Sequence, residues 1–452
     1  MQKLLIANRG EIAVRIIRTA RRMGIATVAV CSEADADSLA VAEADEHVVI
    51  GPAPAPKSYL NQEAVLLAAA ETHADAVHPG FGFLSENASF AQAVTEAGLV
   101  WVGPSAETIR LMGDKVAARA AAAQAGVPTL AGSEGPLDPD DDPLGLARRT
   151  GFPVVIKAAA GGGGRGIRVV EKESEFLSAL DITRAEARAS FGDDTVYLER
   201  FVPKARHVEV QLLGDGIRVV HLGDRDCSMQ RRSQKVMEEA PAPGLPDHVR
   251  RTIAESSVRL AEACGYTGAG TVEFLYDPER EEAAFIEMNT RLQVEHPVTE
   301  EITGIDIVEH QLRVAAGEPL ALEQESIRLS GHAFECRINA EDPSNGFFPS
   351  PGTISELRWP QSEAVRVDSG VTAGSVVAPF YDSMVAKLIV SGPDRESALE
   401  RLRAALNGIV VEGISTTVPL HQALASLPEL AEVAHHTKFI EDSGILTALE
   451  AS

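Results

Sequence analysis

Cysteine is scarce in this sequence: four in 452 residues, at Cys31, Cys227, Cys264 and Cys336, with no Cys-x-x-Cys pair. Neither a disulfide framework nor a thiolate zinc site is indicated, and the four thiols are expected to be reduced and structural. Aromatic residues make up only 5%. No run of 18 or more apolar residues occurs, so no membrane span is predicted. The opening Met1-Gln-Lys-Leu-Leu-Ile-Ala-Asn-Arg9 has a short apolar run but neither the h-region nor the cleavage site of a signal peptide. It reads as a first buried strand, and a cytoplasmic location is the expectation. Basic charge is also short: 41 Lys and Arg against 66 Asp and Glu give a net charge of −25. Such a field disfavours nucleic acid as a partner and requires any polyanionic substrate to meet a locally basic site. No internal repeat is visible.

What is present is a soluble globular composition, 45% hydrophobic and 24% charged, long enough for two or three domains. Strand and helix patterns alternate over the first hundred residues: a strand at 3–7, a helix at Glu11–Arg22 stopped by Gly24, strands near 27–30, 47–50, 76–77 and 99–102, and helices near 62–71 and 87–97. This predicts an α/β unit with a mainly parallel sheet. Asp114 is a candidate N-cap for an Ala-rich helix from Lys115 to Ala125. Residues 132–143 read as a Pro/Asp/Gly loop. The middle of the chain carries strand patterns at 152–157, 166–170, 195–199, 207–213, 217–222, 270–275 and 284–288, with a hairpin turn at Gly214-Asp-Gly216. A third region begins after residue 330, with strands near 332–338 and 384–391 and a helix near 394–407. The overall class is α/β at the N-terminus and α+β for the whole chain.

The segment Phe285-Ile-Glu-Met-Asn-Thr-Arg-Leu-Gln-Val-Glu-His-Pro297 carries the most chemistry. Glu287, Asn289, Arg291, Gln293 and Glu295 alternate with Met288, Thr290, Leu292 and Val294, so an extended backbone places them on one face. The order offers hard oxygen ligands, then a cation, then a base, which suits phosphate chemistry. Glu273 is expected to pair with the Glu287 strand across a turn at 277–282. Cross-strand carboxylates repel unless a cation sits between them, and Mg²⁺ prefers such oxygen ligands. Two surface glutamates fit the pattern too. The glycine-rich loop Lys157-Ala-Ala-Ala-Gly-Gly-Gly-Gly-Arg-Gly166 lies between two strand patterns and lacks the P-loop ending. It suits phosphate contact or a plain surface loop. His207-Val-Glu-Val-Gln211 fits a half-exposed antiparallel strand equally well. Arg225–Lys235 is a basic cluster in an acidic chain, either an anion site or a solvated patch. His78–Asn87 reads as a Gly/Pro turn, and Arg337 by default as a solvated cation.

Taken together, Ile6–Ala13, His78–Asn87, Arg110–Lys115, the 161–166 loop, Arg225–Lys235, Glu287–Thr299 and Cys336–Asp342 resemble the biotin carboxylases of the ATP-grasp superfamily. The resemblance runs over almost the whole chain. It implies an N-terminal Rossmann-like domain (1–113), an ATP-grasp domain (114–330) with a lid at about 131–203, and a C-terminal domain (331–446). The implied reaction makes carboxyphosphate from ATP and bicarbonate and then carboxylates biotin. Lys115, Lys157, Gly163 and Gly164 are implied to contact phosphates. Glu199, Arg200, Phe201 and Val202 are implied to hold adenine, with His207, Gln230 and Ser233 on the nucleotide side. Glu273, Glu287 and Asn289 are implied to bind Mg²⁺ or Mn²⁺. Lys235, Arg291, Gln293 and Val294 would hold bicarbonate, Glu295 would deprotonate it, and Arg337 would steady the biotin oxygen. Ser233 stands where relatives commonly have His, and Phe81 where Tyr is common.

No Met-Lys-Met biotinylation site occurs, so a separate biotin carboxyl carrier protein and a carboxyltransferase subunit are the expected partners. Acetyl-CoA, and so fatty acid synthesis, is the expected destination, and the family is often a homodimer. A carboxylate–amine ligase would share the ATP and metal chemistry but not the Arg291/Glu295/Arg337 set. A non-catalytic nucleotide-binding subunit would have no use for Glu273, Glu287, Asn289 and Glu295.

Overall fold

In the computed structural model, residues 1–133, 135–137, 142–158 and 166–450 are described. The predicted glycines Gly163 and Gly164 lie outside them.

The first hundred residues fold as the apolar periodicity dictates. Strands Lys3–Ile6, Ala26–Cys31, Glu46–Val49, Ala76–His78 and Val100–Trp101 form a wholly parallel sheet, with Lys3–Ile6 between Ala26–Cys31 and Ala76–His78. Helix Gly10–Arg22 buries Ile12, Ile16, Ile17 and Ala20 against that unit. It carries arginines in its last turn, where they complement the helix dipole. Gly24, at φ +72°, lets the chain turn back into the next strand. The same helix also packs against strands Val365–Ser369 and Met384–Gly392 of the C-terminal region. The approach is close: a Cβ on Gly370 would lie 2.6 Å from the Glu11 backbone nitrogen.

Asp114 caps helix Lys115–Gln124 as expected, accepting from the N–H groups of Val116 and Ala117 at 2.9 Å each. A small antiparallel sheet follows, Val154–Ala158 flanked by Ile167–Val170 and Val196–Arg200, with helix Phe176–Phe191 packed on it.

The scaffold of the rest is one eight-stranded antiparallel sheet. Its spatial order is Glu282–Asn289, Thr267–Asp277, Arg206–Asp215, Val219–Arg231, Gln234–Ala240, His332–Asn339, Met384–Gly392 and Val365–Ser369. Hydrogen bonding continues through the predicted boundary at 330, since Gln234–Ala240 pairs with His332–Asn339. The 214–216 turn is found, closed by the Asp215 carboxylate accepting from Ile217 and Arg218 N–H.

Two expectations need correction here. Arg225–Lys235 is not a patch but the hairpin joining two central strands. Its turn residues Arg232 and Ser233 have φ of +50° and +65°. Both positive angles fit the tight turn that follows the twist of a hairpin, normally signalled by Asn-Gly or Asp-Gly, where this hairpin has Arg-Ser. His207–Gln211 is not half-exposed either: it lies in the middle of the sheet, with Glu209 and Gln211 fully buried. No helix among the described residues is long and apolar enough to cross a membrane.

Candidate active site

Strand register assembles the site. Glu287 lies opposite Glu273, Glu273 opposite Glu209, and Glu209 opposite Arg225, so three carboxylates and a guanidinium form one row across four strands. Asn289, Thr271 and Gln211 form the next row. Directly opposed residues share a face, and helix His296–Thr303 packs over part of this face.

Glu209 and Glu273 in this row are buried, and buried like charges have to be neutralised. Arg225 donates through Nε to Glu209 at 2.6 Å, and through Nη1 to Gln211 at 2.7 Å and Thr299 at 2.9 Å. Lys235 reaches over from the adjacent hairpin strand. Its ammonium donates to Glu209 at 2.6 Å, to Glu273 at 2.8 Å and to Glu295 at 2.6 Å, satisfying all three of its donors with carboxylates. Arg337 bridges Glu238 at 2.6 Å and Glu295 at 3.0 Å. Glu295 thus sits between an ammonium and a guanidinium. Burial pushes its proton affinity up, but Lys235, Arg337 and Arg225 outweigh that and hold it well below the usual carboxylate range. Burial likewise raises Glu273, and Lys235 and His207 hold it below. Glu238, buried beside Arg337 and Glu295, is pushed up to about 7.

The strand that begins this segment ends at Asn289. The predicted alternation therefore stops at Thr290, and the remaining polar groups converge by another route. Arg291 folds back, donating to Glu86 at 2.8 Å, to Gln293 at 2.9 Å and to the Asn289 oxygen at 3.2 Å. Glu295 is delivered as the residue before helix His296–Thr303. The physical reason is Pro297, in the first turn of that helix, where its fixed φ suits the start of a helix rather than a strand.

His207, Gln230, Ser233, Lys235, Glu273, Glu287, Asn289, Arg291, Gln293, Val294 and Arg337 line one cavity of about 770 Å³, with Glu295 buried beneath it. Asn8–Ile12, Phe81–Phe83 and Tyr381 supply its opposite wall. The Gln230 amide nitrogen donates to Nδ1 of the His207 ring at 3.0 Å. The other predicted contacts stand outside that cavity. Lys115 opens its helix and lowers the proton affinity of Glu287 against the stronger effect of burial. Lys157 and Arg119 both bind the Glu199 carboxylate, and Arg200 binds Glu282. Phe201 N–H donates to the Pro153 carbonyl at 2.9 Å, and Val202 is buried.

The donor set for a metal can be tested on geometry. His207, Glu209 and Glu273 bring ligand atoms within 4.8 Å of one another, but Lys235 already bonds two of those carboxylates. Glu287 has no cation within ion-pair distance among the described residues, and it faces Glu273 directly, with the Asn289 oxygen close by on the same strand. Burial and Glu273 together raise its proton affinity. An anion-rich pair of this kind fits a hard divalent cation.

Glu209, Glu238 and Glu86 are part of this network and were not predicted. Glu209 carried a signal, sharing a face with His207 and Gln211, but nothing local says that its strand is central. Glu238 and Glu86 carried none.

The chain matches the family models "Biotin carboxylase, N-terminal domain" over residues 1–109, "Carbamoyl-phosphate synthase L chain, ATP binding domain" over 114–323 and "Biotin carboxylase C-terminal domain" over 335–442. It is 54% identical to a biotin carboxylase of Pseudomonas aeruginosa over 94% of each chain. A biotin carboxylase from Campylobacter jejuni, solved as a complex described as β-γ-ATP, superposes with a TM-score of 0.88 at 45% identity, covering 97% of this chain and 98% of that one. The biotin carboxylase domain dimer of Hydrogenobacter thermophilus 2-oxoglutarate carboxylase, solved with MgADP, ADP and bicarbonate, superposes at 0.86 with 44% identity over 98% of each.

Proposed function

The chain belongs to the biotin carboxylase family, and we propose that it carboxylates biotin on a separate carrier protein, using ATP and bicarbonate through carboxyphosphate, as a subunit of acetyl-CoA carboxylase. The observation that carries the reading is Glu295, a buried carboxylate clamped between Lys235 and Arg337 beside the anion-rich Glu273/Glu287 pair.

In this reading Lys235, Arg291, Gln293 and the Val294 backbone hold bicarbonate, and Glu295 takes its proton. Alone, Glu295 is a weak base because its cations hold it ionised. Bicarbonate entering among Lys235, Arg291 and Arg337 takes over part of their hydrogen bonding. That raises the proton affinity of Glu295 and lowers that of bicarbonate, and both changes favour transfer. The deprotonated oxygen then bonds to the γ-phosphorus as the bond to the ADP oxygen breaks. Lys115, Lys157, Gly163 and Gly164 hold the phosphates. Glu199, Arg200, Phe201 and Val202 take the adenine, with His207, Gln230 and Ser233 beside the nucleotide. Glu273, Glu287 and Asn289 hold Mg²⁺ or Mn²⁺, which when bound neutralises charge on the transferring phosphoryl group. Arg337 steadies the enolate-like biotin oxygen as N1 loses its proton.

A homodimer is proposed, supported by the Hydrogenobacter relative's description as a dimer. A cytoplasmic location is part of the same proposal. A biotin carboxyl carrier protein and a carboxyltransferase subunit are the partners. The test is ADP release by the purified protein with MgATP, bicarbonate and free biotin. Bicarbonate dependence and stimulation by biotin are expected, and equal ADP release with and without bicarbonate overturns the reading. Co-purification with a carrier and a transferase acting on acetyl-CoA tests the acceptor.

A further inference from the structure

Residues 290–295 leave the sheet ladder before they deliver Gln293 and Glu295, so something other than strand pairing has to hold them. Thr290 N–H donates to Glu86, and the His296 ring bonds the Gln293 carbonyl. A further hold on the backbone comes from Lys387, on strand Met384–Gly392, whose side chain is completely buried. Its ammonium donates to the Val294 carbonyl at 2.9 Å. The same ammonium lies 3.2 Å from Glu11 of helix Gly10–Arg22 and 3.9 Å from Asp368 of strand Val365–Ser369. Lys387 is directly opposite Arg337 in the sheet register, so it shares the face that carries the site.

We propose that Lys387 and Glu11 are positioning residues: the ammonium, steadied by Glu11, fixes the Val294 carbonyl and thereby aims Glu295 and its neighbours at bicarbonate. This rests on the reading of Glu295 given above. Three observations support it. A fully buried ammonium is expensive to desolvate and persists only with partners, and here one partner is the backbone of the site segment itself. Glu11 comes from the N-terminal Asn8-Arg9-Gly10-Glu11 stretch, whose first residues line the cavity. The 2.6 Å clearance at Gly370 shows how tightly that helix start is pressed onto the C-terminal strands. One side chain therefore ties the first helix and the last part of the chain to the residue before Glu295. A misplacement of about 1 Å at a reacting group is enough to slow turnover about a hundredfold.

The test uses the full-length protein. Lys387→Met is expected to bind MgATP at the same stoichiometry and with KM for ATP within about twofold of the parent. Bicarbonate-dependent turnover per ATP-binding site falls about 10- to 100-fold, with KM for bicarbonate raised. A merely structural lysine would lower the number of ATP sites or the melting temperature and leave turnover per site and KM for bicarbonate unchanged, and that result overturns the proposal. Should Lys387→Met fail to fold, Glu11→Gln decides. It keeps the volume and weakens the hold, so a several-fold rise in KM for bicarbonate supports the proposal, and unchanged kinetics overturn it. A parent protein that shows no bicarbonate-dependent ADP release instead overturns the functional reading, whatever the variants do.

Discussion

Two buried charge clusters meet helix His296–Thr303, one at its start and one further along, and they are balanced differently. At its start, Glu209, Glu273 and Glu295 share the single ammonium of Lys235, while Glu287 has no cation at ion-pair distance among the described residues. Further along, Arg15 binds Glu300 and Asp306 at 2.8 Å each, and Arg366 binds Glu300 at 2.8 Å and Asp368 at 2.9 Å. In the second cluster every carboxylate has a guanidinium at ion-pair distance, Asp306 from Arg22 as well as Arg15, and the cluster holds elements together. The first contains a carboxylate, Glu287, that no cation of the described residues reaches, directly opposite Glu273. Such an arrangement can take up a divalent ion and exchange a carboxylate contact for an incoming anion. Density of buried charge therefore does not mark a reactive site by itself; the imbalance does.

The largest expected effects come from cutting one residue in each cluster. Glu295→Gln is expected to lower bicarbonate-dependent turnover by about 10²- to 10⁴-fold, the usual contribution of a positioned base, and to spare ATP binding. Arg15→Met is expected to do the reverse. Breaking a buried pair from one side costs up to about 3–5 kcal/mol of stability; here Glu300 keeps Arg366 and Asp306 keeps Arg22, so the loss should fall below that range, while turnover per folded molecule stays near that of the parent. Denaturant unfolding and steady-state ADP release on both variants check this. Equal turnover losses in the two would mean that the clusters are not functionally distinct.

A smaller effect should expose the imbalance directly. Glu287→Gln relieves the like-charge pairing with Glu273, a contact of the kind that costs about 0.2–1 kcal/mol across strands. The metal-free variant should therefore melt at the parent's temperature or slightly above, and the rise in melting temperature on adding MgATP should shrink or vanish. A variant that is less stable without metal and still gains fully from MgATP would show that Glu287 is not part of a cation site.

The same contrast governs what could be read in advance. The parallel sheet and helix Gly10–Arg22 were legible because apolar spacing alone specifies them. In the eight-stranded sheet a polar face is buried as well as the apolar one, so the hydrophobic pattern reports only half of the burial. His207–Gln211 fitted a half-exposed strand, and Arg225–Lys235 fitted a solvated patch as well as an anion site. The Glu273–Glu287 pairing was legible because a short turn separates the two strands. Glu86, some 200 residues from its partner Arg291, and Glu238, on a strand that was not expected at all, could be placed only by the tertiary fold. The turn at Thr290 was hidden because polar alternation continues in the sequence after the strand has ended.

The smallest effect concerns acid. Burial pushes His78 down to about 3 and His421 down to about 4, and it holds His296 well below its usual range. For these three, unfolding releases a ring that protonates near 6.5, so their contribution to stability is full above that pH and is lost as pH falls below it. Burial pushes Glu11 and Glu238 up to about 7 and Glu335 well above the usual range. Those carboxyls act in the opposite sense, because below their raised values they hold a proton that the unfolded chain releases: Glu11 and Glu238 add stability as pH falls from about 7 to 4.5, and Glu335 acts in the same direction. Each group is worth at most about 1.4 kcal/mol per pH unit, and the two sets oppose one another. Thermal stability should be nearly flat between pH 6.5 and 4.5. It should fall steeply below that, where Glu295, Glu273 and Asp368, all held low by their cations, begin to protonate on unfolding. Glu335→Gln removes one compensating group, so its stability relative to the parent should fall as pH is lowered toward the ordinary carboxylate range. A difference that does not change with pH would mean that Glu335 is ionised in the fold, and that its strand face carries more negative charge than its neighbours Arg337 and Lys387 can hold.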